Sequence, residues 1–277
     1  DWSSDVCSSD LPSVTDLTQL NRPRSPKSEV AALIKSDIAK SLEYFGTDNS
    51  LYNGKTTYWS KPATLALKGE AYLFFGTVLN EGTTAYQSAK DALTQVSGFS
   101  LASTYSALWG VGNEGNKEFI FAFDYQQNQA STFYPSVTTG LPKDVNALFD
   151  RTGATMNPWV SSGSNRYGPS EKMINTFYAD LKDSRGDATF IFLYADNNGG
   201  SGYSTYNAAK YRTSILRKFM GEIVDGTRQA YGNVPLYRYA DVLLMLAEAK
   251  NMLGEDPSTE INAVRKRAYG SNTAPVY

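Results

Sequence analysis

The stretch RYADVLLMLAEAKNMLGEDPSTEINAVRKRAYG, Arg238–Gly270, carries the clearest structural pattern in the chain. Its first half has an apolar helical face, which consists of Leu243, Leu244, Leu246, Ala247 and Leu253. Gly254 is a stop signal for this helix, and Pro257 lies just beyond it. Its second half repeats the helical spacing with Ile261, Val264 and Ala268. The stretch therefore predicts two helices, over 236–254 and 259–269, that pack as a hairpin.

Three more helices are predicted near the beginning of the chain. The first covers 28–45 with Ser28 as its cap, the second covers 61–79, and the third covers about 84–97. Ser60 can cap the second helix, and Pro62 is tolerated in its first turn. Small residues recur along the second helix and predict a close helix neighbour: Ala63, Ala66, Gly69, Ala71 and Gly76. The spacings Gly69–Tyr72 and Ala89–Leu93 resemble a tetratricopeptide unit.

The segment between the two helical regions has a different character. It is rich in Gly, Pro, Asn and Ser, with strand-like runs at Glu118–Tyr125 and Thr189–Tyr194 and a short helix at Ser170–Tyr178. On that helix, Met173, Ile174 and Phe177 are expected to share the buried face. The predicted fold is mainly α: tetratricopeptide-like helical hairpins with an embedded, loop-rich subdomain that contains a few short strands. The expected divisions are helical repeats over 12–97, the loop-rich subdomain over 98–235 and a second helical segment over 236–277, all in one domain.

Composition excludes several kinds of chemistry. The chain has no histidine and one cysteine, Cys7, so His-dependent triads and Cys-rich metal sites are ruled out. The net charge is −2, without the basic excess of a nucleic-acid-binding surface. No apolar run reaches the ~18 residues needed to span a bilayer. Aromatic residues are abundant, with 19 Tyr, 13 Phe and 4 Trp, and such rings suit sugar faces, protein interfaces and ordinary cores alike.

The run Arg238–Gly270 resembles the SusD/RagB family, in which an Arg precedes an Ala-Glu-Ala helix, a Gly turn and an Arg-x-Arg-Ala helix. The upstream runs Ile34–Phe45, Lys61–Gly76 and Ser170–Phe190 are similar to further parts of that family. The matching positions in the first run are Arg238, Ala247, Glu248, Ala249, Gly254, Ile261, Asn262, Val264, Arg265, Arg267 and Ala268. The resemblance implies a non-enzymatic outer-membrane lipoprotein that captures an oligosaccharide or polysaccharide for a SusC-like TonB-dependent transporter. It implies no cofactor, no metal and no nucleic-acid partner.

Both ends of the chain depart from the family pattern. Residues 1–11, DWSSDVCSSDL, read like a translated sequencing adapter and are expected to be an artefact that includes Cys7. The family's signal segment and lipidated cysteine are not found at the start, and its Arg- and aromatic-rich continuation is not found at the end. The chain is therefore expected to be an internal fragment, in which part of a binding site and the lipid anchor are missing.

The candidate glycan-binding residues lie in the polar, Gly- and Pro-containing segment 157–170. Trp159 and Tyr167 can offer ring faces, while Arg166 and Asn157 can hydrogen-bond sugar hydroxyls. The alternative is that Trp159 anchors its own loop to the core. Tyr125 and Tyr134, which flank a polar run, are further candidates, and so are Tyr203 and Tyr206 in a glycine-rich loop.

The charged residues are interpreted as structural rather than catalytic. Arginines and a carboxylate in the C-terminal hairpin are expected to tie its helices together: Arg238, Glu248, Arg265 and Arg267. Asp180, Asp183 and Asp187 could serve carboxylate-based hydrolysis or calcium binding, but the Asp183–Arg185 spacing favours a charge-paired turn. The G-x-G-x-x-G of Gly110–Gly115 precedes a strand rather than a helix, so an ordinary turn is predicted.

Three functions remain open from the residues alone. The first is glycan or other nutrient binding, the second is a helical-repeat scaffold for protein contacts, and the third is a two-carboxylate glycoside hydrolase. An exposed concavity formed by Trp159 and Tyr167 favours the first, whereas their burial in the subdomain core contradicts it.

Overall fold

The computed structural model describes residues 24–129, 145, 147–156, 164, 166–270 and 275–277. Its α-helices are α1 (Lys27–Phe45), α2 (Lys61–Val78), α3 (Gly82–Thr94), α4 (Glu171–Ala179), α5 (Arg185–Thr189), α6 (Tyr239–Met252) and α7 (Ser258–Tyr269). Its strands are β1 (Phe119–Phe123), β2 (Phe149–Asp150), β3 (Phe190–Tyr194), β4 (Tyr211–Leu216), β5 (Glu222–Val224), β6 (Thr227–Gln229) and β7 (Val234–Arg238). The mainly helical fold with a few short strands, predicted from the sequence, is confirmed. No helix in these described ranges is long and apolar enough to cross a membrane.

Helices α2, α3 and α6 form the helical scaffold and share a core. Buried side chains from all three helices meet there, among them Leu65, Leu93 and Val242. Helix α2 can lie close to α3 because two of its positions have no side chain. A Cβ added at Gly69 would come within 3.0 Å of the Leu93 side chain, and one added at Gly76 would come equally close to the Tyr86 ring.

Replacing Gly69 by alanine is therefore expected to destabilise the protein, although alanine favours a helix. The higher helix propensity of alanine stabilises the protein by about 1 kcal/mol. Overpacking a well-filled core destabilises it by about 1–3 kcal/mol. Leu93 is fully buried and has little space to move, so the packing cost prevails. Denaturant unfolding measures the difference.

Gly112→Ala is the matched control, because a Cβ at this position meets nothing within 4 Å and the residue does not have a positive φ. An increase in the free energy of unfolding for Gly69→Ala, with Gly112→Ala unchanged, would show that the helices do not need this close approach.

The described residues in the middle of the chain form three small antiparallel sheets. β1 pairs with β7, β3 lies between β2 and β4, and β5 forms a hairpin with β6. The β1–β7 pair connects the middle segment to the helical scaffold. β7 ends at Arg238, directly before α6 begins, and Phe119 of β1 lies opposite Arg238. The sheet β2–β3–β4 carries the loops described below.

Several predicted details are wrong. Helix α1 starts at Lys27 with Pro26 at its N-cap, so Ser28 lies inside the first turn and caps nothing. Helix α6 starts at Tyr239 rather than 236, because Val234–Arg238 pairs as a strand. Met173 is exposed, whereas Ile174 is buried, because the sheet lies against only one side of the short helix α4.

The predicted cap of α2 is confirmed. The Ser60 hydroxyl accepts a hydrogen bond from the Ala63 N–H at 3.4 Å.

Candidate ligand-binding surface

A cluster of tyrosines forms the floor of the loop-rich segment. Tyr194 on β3 is completely buried, and its ring stacks on that of Tyr203 with 4.2 Å between centroids. Its hydroxyl donates a hydrogen bond to the hydroxyl of Tyr178 on α4 at 2.6 Å. Burial raises the pKa of Tyr178. The cluster therefore joins α4, β3 and the loop after β3 into one packed unit.

The loop that contains Tyr203 is held in place by Asp196. The Asp196 carboxylate accepts hydrogen bonds from Lys210 Nζ at 2.7 Å and from the Tyr203 hydroxyl at 2.5 Å. These bonds lower the pKa of Asp196 to about 2, and the bond to the carboxylate raises the pKa of Tyr203 to about 12. The Tyr203 N–H also donates to the Arg151 carbonyl at 2.7 Å, so the loop is fixed to the end of β2 as well.

Tyr167 is exposed to solvent in the segment just before α4. Its side chain is 66% exposed, and Arg166 beside it is exposed too. Gly168 lies near β4, since a Cβ built at this position would be 3.7 Å from Ser214 Oγ. The Ser170 hydroxyl caps α4 by accepting from the Met173 N–H at 3.3 Å. An exposed ring and an exposed guanidinium are thus neighbours in sequence, and such groups suit stacking and hydrogen bonding to a polar ligand.

The other candidate residues do not all join Tyr167. Trp159, Asn157 and Tyr134 lie outside the described residues. Tyr125 is half-buried just after β1, and its N–H donates to Asn233 Oδ1 at 2.9 Å. It therefore belongs to the β1–β7 sheet, whereas Tyr167 lies beside β4. Tyr206 is half-buried in the tyrosine cluster, with its ring 5.5 Å from that of Tyr211.

The carboxylate at the centre of the arginine network is Glu118, which the sequence analysis did not single out. Glu118 is completely buried and accepts from Arg267 Nη1 at 2.6 Å, from Arg238 Nη1 at 3.4 Å and from the Ala102 N–H at 2.7 Å. It therefore joins the start of α6 to α7 through β1. One sequence signal could have identified Glu118. It lies directly before a buried strand, and the C-terminal hairpin contains two arginines that can pair with it.

Glu248 and Arg265 do not belong to this network. Glu248 is exposed and Arg265 is half-buried, and neither forms an ion pair or side-chain hydrogen bond within the described part of the chain. The expectation that Glu248 pairs with the arginines is wrong, because its position on α6 points away from the face that packs against the core, unlike the buried Ala247 and Ala249.

The three aspartates near α5 are each engaged with a neighbour. Asp183 pairs with Arg185, with Arg185 Nε 2.9 Å from Oδ1, which lowers the pKa of Asp183 despite partial burial. Asp187 pairs with Arg151, and Asp180 accepts from the Tyr269 hydroxyl at 2.7 Å. No group of metal-ligating side chains occurs among the residues that the structure describes. The glycines at 110–115 form a short turn around Val111–Asn113.

Comparison with known proteins gives the family. Residues 117–275 match the model of the SusD family, so more than half of the chain is covered. The chain belongs to the SusD family.

Relatives agree with this assignment. The SusD-like protein P38 of Formosa agariphila is 26% identical over 88% of this chain and 48% of its own length. The structure of B. fragilis NanU is similar with a TM-score of 0.80 and 31% identity, over 90% of this chain and 52% of NanU. A laminarin-binding SusD-like protein shares the fold with a TM-score of 0.65 at 22% identity, over 94% of this chain and 58% of that one. The chain thus spans about half the length of these relatives.

Proposed function

We propose that this protein binds glycans, and that the exposed segment with Tyr167 and Arg166 is part of its binding surface. The observation that supports this most is the 66% exposure of Tyr167 on a segment that leads directly into α4. A large ring held away from the core loses hydrophobic stabilisation, and exposed aromatic groups on a rigid support are typical of recognition sites. Membership of a family in which a similar protein binds laminarin supports a sugar ligand.

The binding surface is proposed to include further residues. Trp159, Asn157 and Tyr134 remain candidates by their sequence, and Tyr125 is a candidate for a separate contact at the β1–β7 sheet. Binding without catalysis is proposed from the family resemblance, and the aspartates near α5 agree with it, because ion pairs and hydrogen bonds engage them.

The location and partner follow from the family resemblance. We propose that the protein acts at the surface of the outer membrane, attached by a lipid anchor, and delivers glycan to a SusC-like TonB-dependent transporter. Co-purification of the full-length protein with such a transporter from outer membranes tests this. Recovery of the protein without any transporter, under conditions that keep membrane complexes intact, contradicts it.

A second function, a helical-repeat scaffold for protein contacts, is supported by apolar side chains that α1 and α2 expose. Leu33 is 61% exposed and Phe74 is 54% exposed, and Val30 and Val78 lie near them in sequence with similar exposure. Such groups on helices favour contact with another protein surface. Contact with a transporter would make the two functions compatible.

Replacing Tyr167 by alanine is expected to weaken glycan binding about tenfold, because one ring–sugar stacking contact contributes ~1–1.5 kcal/mol. Calorimetry with soluble polysaccharides, laminarin among them, measures the affinity of both proteins. The fold should be unaffected, since the ring is largely outside the core.

Tyr44→Ala is the control, since Tyr44 is 72% exposed on α1, away from the loop-rich segment. Equal affinity of the Tyr167→Ala protein and the parent removes Tyr167 from the site. Release of reducing sugar by the pure protein would favour a hydrolase instead.

A further inference from the structure

A cavity of about 620 Å³ lies between the sheet β2–β3–β4 and the end of α7. Its volume lies within the ~300–1,000 Å³ of typical small-molecule pockets. The side chains that matter below are Arg151, Lys182, Arg217, Arg267, Phe190 and Tyr269. It is distinct from the Tyr167 segment, because neither Tyr167 nor Arg166 lines it.

The cavity wall carries more positive than negative charge. Four cationic side chains line it, but only two acids do, Asp150 and Asp187. Asp187 pairs with Arg151, and Asp150 Oδ1 accepts from the N–H groups of Thr152 and Ala154 in its own turn.

Two of the cations are not neutralised by a protein carboxylate. Lys182 and Arg217 are exposed at the cavity and form no ion pair within the described ranges. The two aspartates close to Lys182 in sequence are engaged elsewhere, since Asp183 pairs with Arg185 and Asp180 accepts from the Tyr269 hydroxyl. Two positive charges therefore remain available to a ligand.

Arg267 adds a buried donor. Its side chain is only 5% exposed, its Nη1 donates to Glu118, and its guanidinium lies 5.1 Å from the Tyr105 ring centroid. Its Nε is buried and has no hydrogen-bond acceptor among the described residues. Buried donors in proteins are almost always paired, so an acceptor from outside the described residues is expected at this N–H.

We propose that this cavity binds an acidic sugar, with its carboxylate held by Arg217 and Lys182. Arginine has a planar donor fork that matches a carboxylate, and the lysine supplies a second charge. The rings of Phe190 and Tyr269 offer apolar surface. The hydroxyls of Thr104 and Ser106 also line the cavity; they hydrogen-bond each other at 3.1 Å, and a sugar hydroxyl can join this pair. This inference takes from the proposed function only that the ligand is a sugar, because recognition of the acid group rests on the cavity's own residues.

Calorimetry with D-glucuronate at low ionic strength tests the proposal, with D-glucose as the neutral match. Glucuronate should bind saturably, and glucose at least tenfold more weakly. Arg217→Ala and Lys182→Ala should each weaken glucuronate binding about tenfold. Arg212→Ala is the matched control, because Arg212 is an exposed arginine on β4 that does not line the cavity, and it should leave the affinity unchanged.

Three results overturn the proposal: equal binding of glucose and glucuronate, an equal loss in Arg212→Ala, or no saturable glucuronate binding. Two further ligands separate the acid from the sugar. Glucose 6-sulfate, a sugar with a different acid group, should compete with glucuronate. Inorganic phosphate is an anion without a sugar. If phosphate binds more tightly than either sugar, the cavity is an anion site without sugar recognition, and the acidic-sugar ligand is rejected.

Tyr167→Ala distinguishes this inference from the proposed function. It should weaken binding of neutral polysaccharide and leave glucuronate affinity unchanged. If Tyr167→Ala abolishes glucuronate binding while Arg217→Ala does not, the acid is bound at the Tyr167 segment and the cavity is excluded. If Arg217→Ala abolishes glucuronate binding and Tyr167→Ala changes neither ligand, the cavity is supported and the Tyr167 surface is not.

Discussion

Replacing Glu118 by alanine is expected to lower the free energy of unfolding by about 3–5 kcal/mol, because it leaves a buried cation without its partner. Arg267 is the more buried of the two arginines on Glu118, and its shortest ion pair is the 2.6 Å contact to this carboxylate. The change also removes the acceptor of the Ala102 N–H at 2.7 Å. The free energy of unfolding of a domain is only ~5–15 kcal/mol, so this single change removes a large share of the protein's stability.

Denaturant unfolding of the Glu118→Ala protein measures this effect, and Glu248→Ala is its matched control. Glu248 is exposed and has no ion pair in the described structure, so its removal should change the free energy by less than ~0.5 kcal/mol. Glu118→Gln should lie between the two, because it keeps the shape and loses the charge. A Glu248→Ala protein that is as unstable as Glu118→Ala would contradict the central role of Glu118.

Helices were predictable here because each carries its own pattern. Ser60, the small residues of α2 and the apolar face of α6 are local signals, and the structure has helices where they indicate. Predicted helix boundaries were wrong where contact with a segment distant in sequence determines the secondary structure. Residues 236–238 look like the start of a helix, yet they pair with β1 from more than a hundred residues earlier.

The short strands were harder to predict for the same reason. β4 to β7 have three to six residues each, and their pairing depends on partners rather than on a hydrophobic period. β5 and β6 are held only by their hairpin partner in their sheet, so little in either segment alone distinguishes it from a loop.

The candidate site shows the same division between local and distant information. Tyr167 could be singled out because a large ring in a polar, Pro-containing segment has no apolar face to join. Lys182, Arg217 and Arg267 could not be grouped, because they come from a turn, the end of a strand and a helix that meet only in the fold. Cavities of this kind are formed by tertiary contacts, which no single segment encodes.

Replacing Tyr194 by alanine is expected to cost about 3–5 kcal/mol, the usual range for deleting a buried aromatic ring. Tyr194 has no exposed surface, and its ring contacts both Tyr203 and Tyr211. The tyrosine cluster would lose its central member, and the loop fixed by Asp196 would lose the ring on which Tyr203 stacks. Urea unfolding gives the stability change, and amide hydrogen exchange should show faster exchange over 195–209.

Tyr194→Phe separates packing from hydrogen bonding in this prediction. It keeps the ring and removes only the hydroxyl that donates to Tyr178 at 2.6 Å, so a loss of about 1–2 kcal/mol is expected. The segment with Tyr167 leads directly into α4, whose Ile174 packs in the same cluster as Tyr194, so Tyr194→Ala should also weaken glycan binding. Tyr194→Phe should leave it nearly unchanged. Equal destabilisation by both variants would mean that the hydroxyl pair, rather than ring packing, holds the floor of the binding surface together.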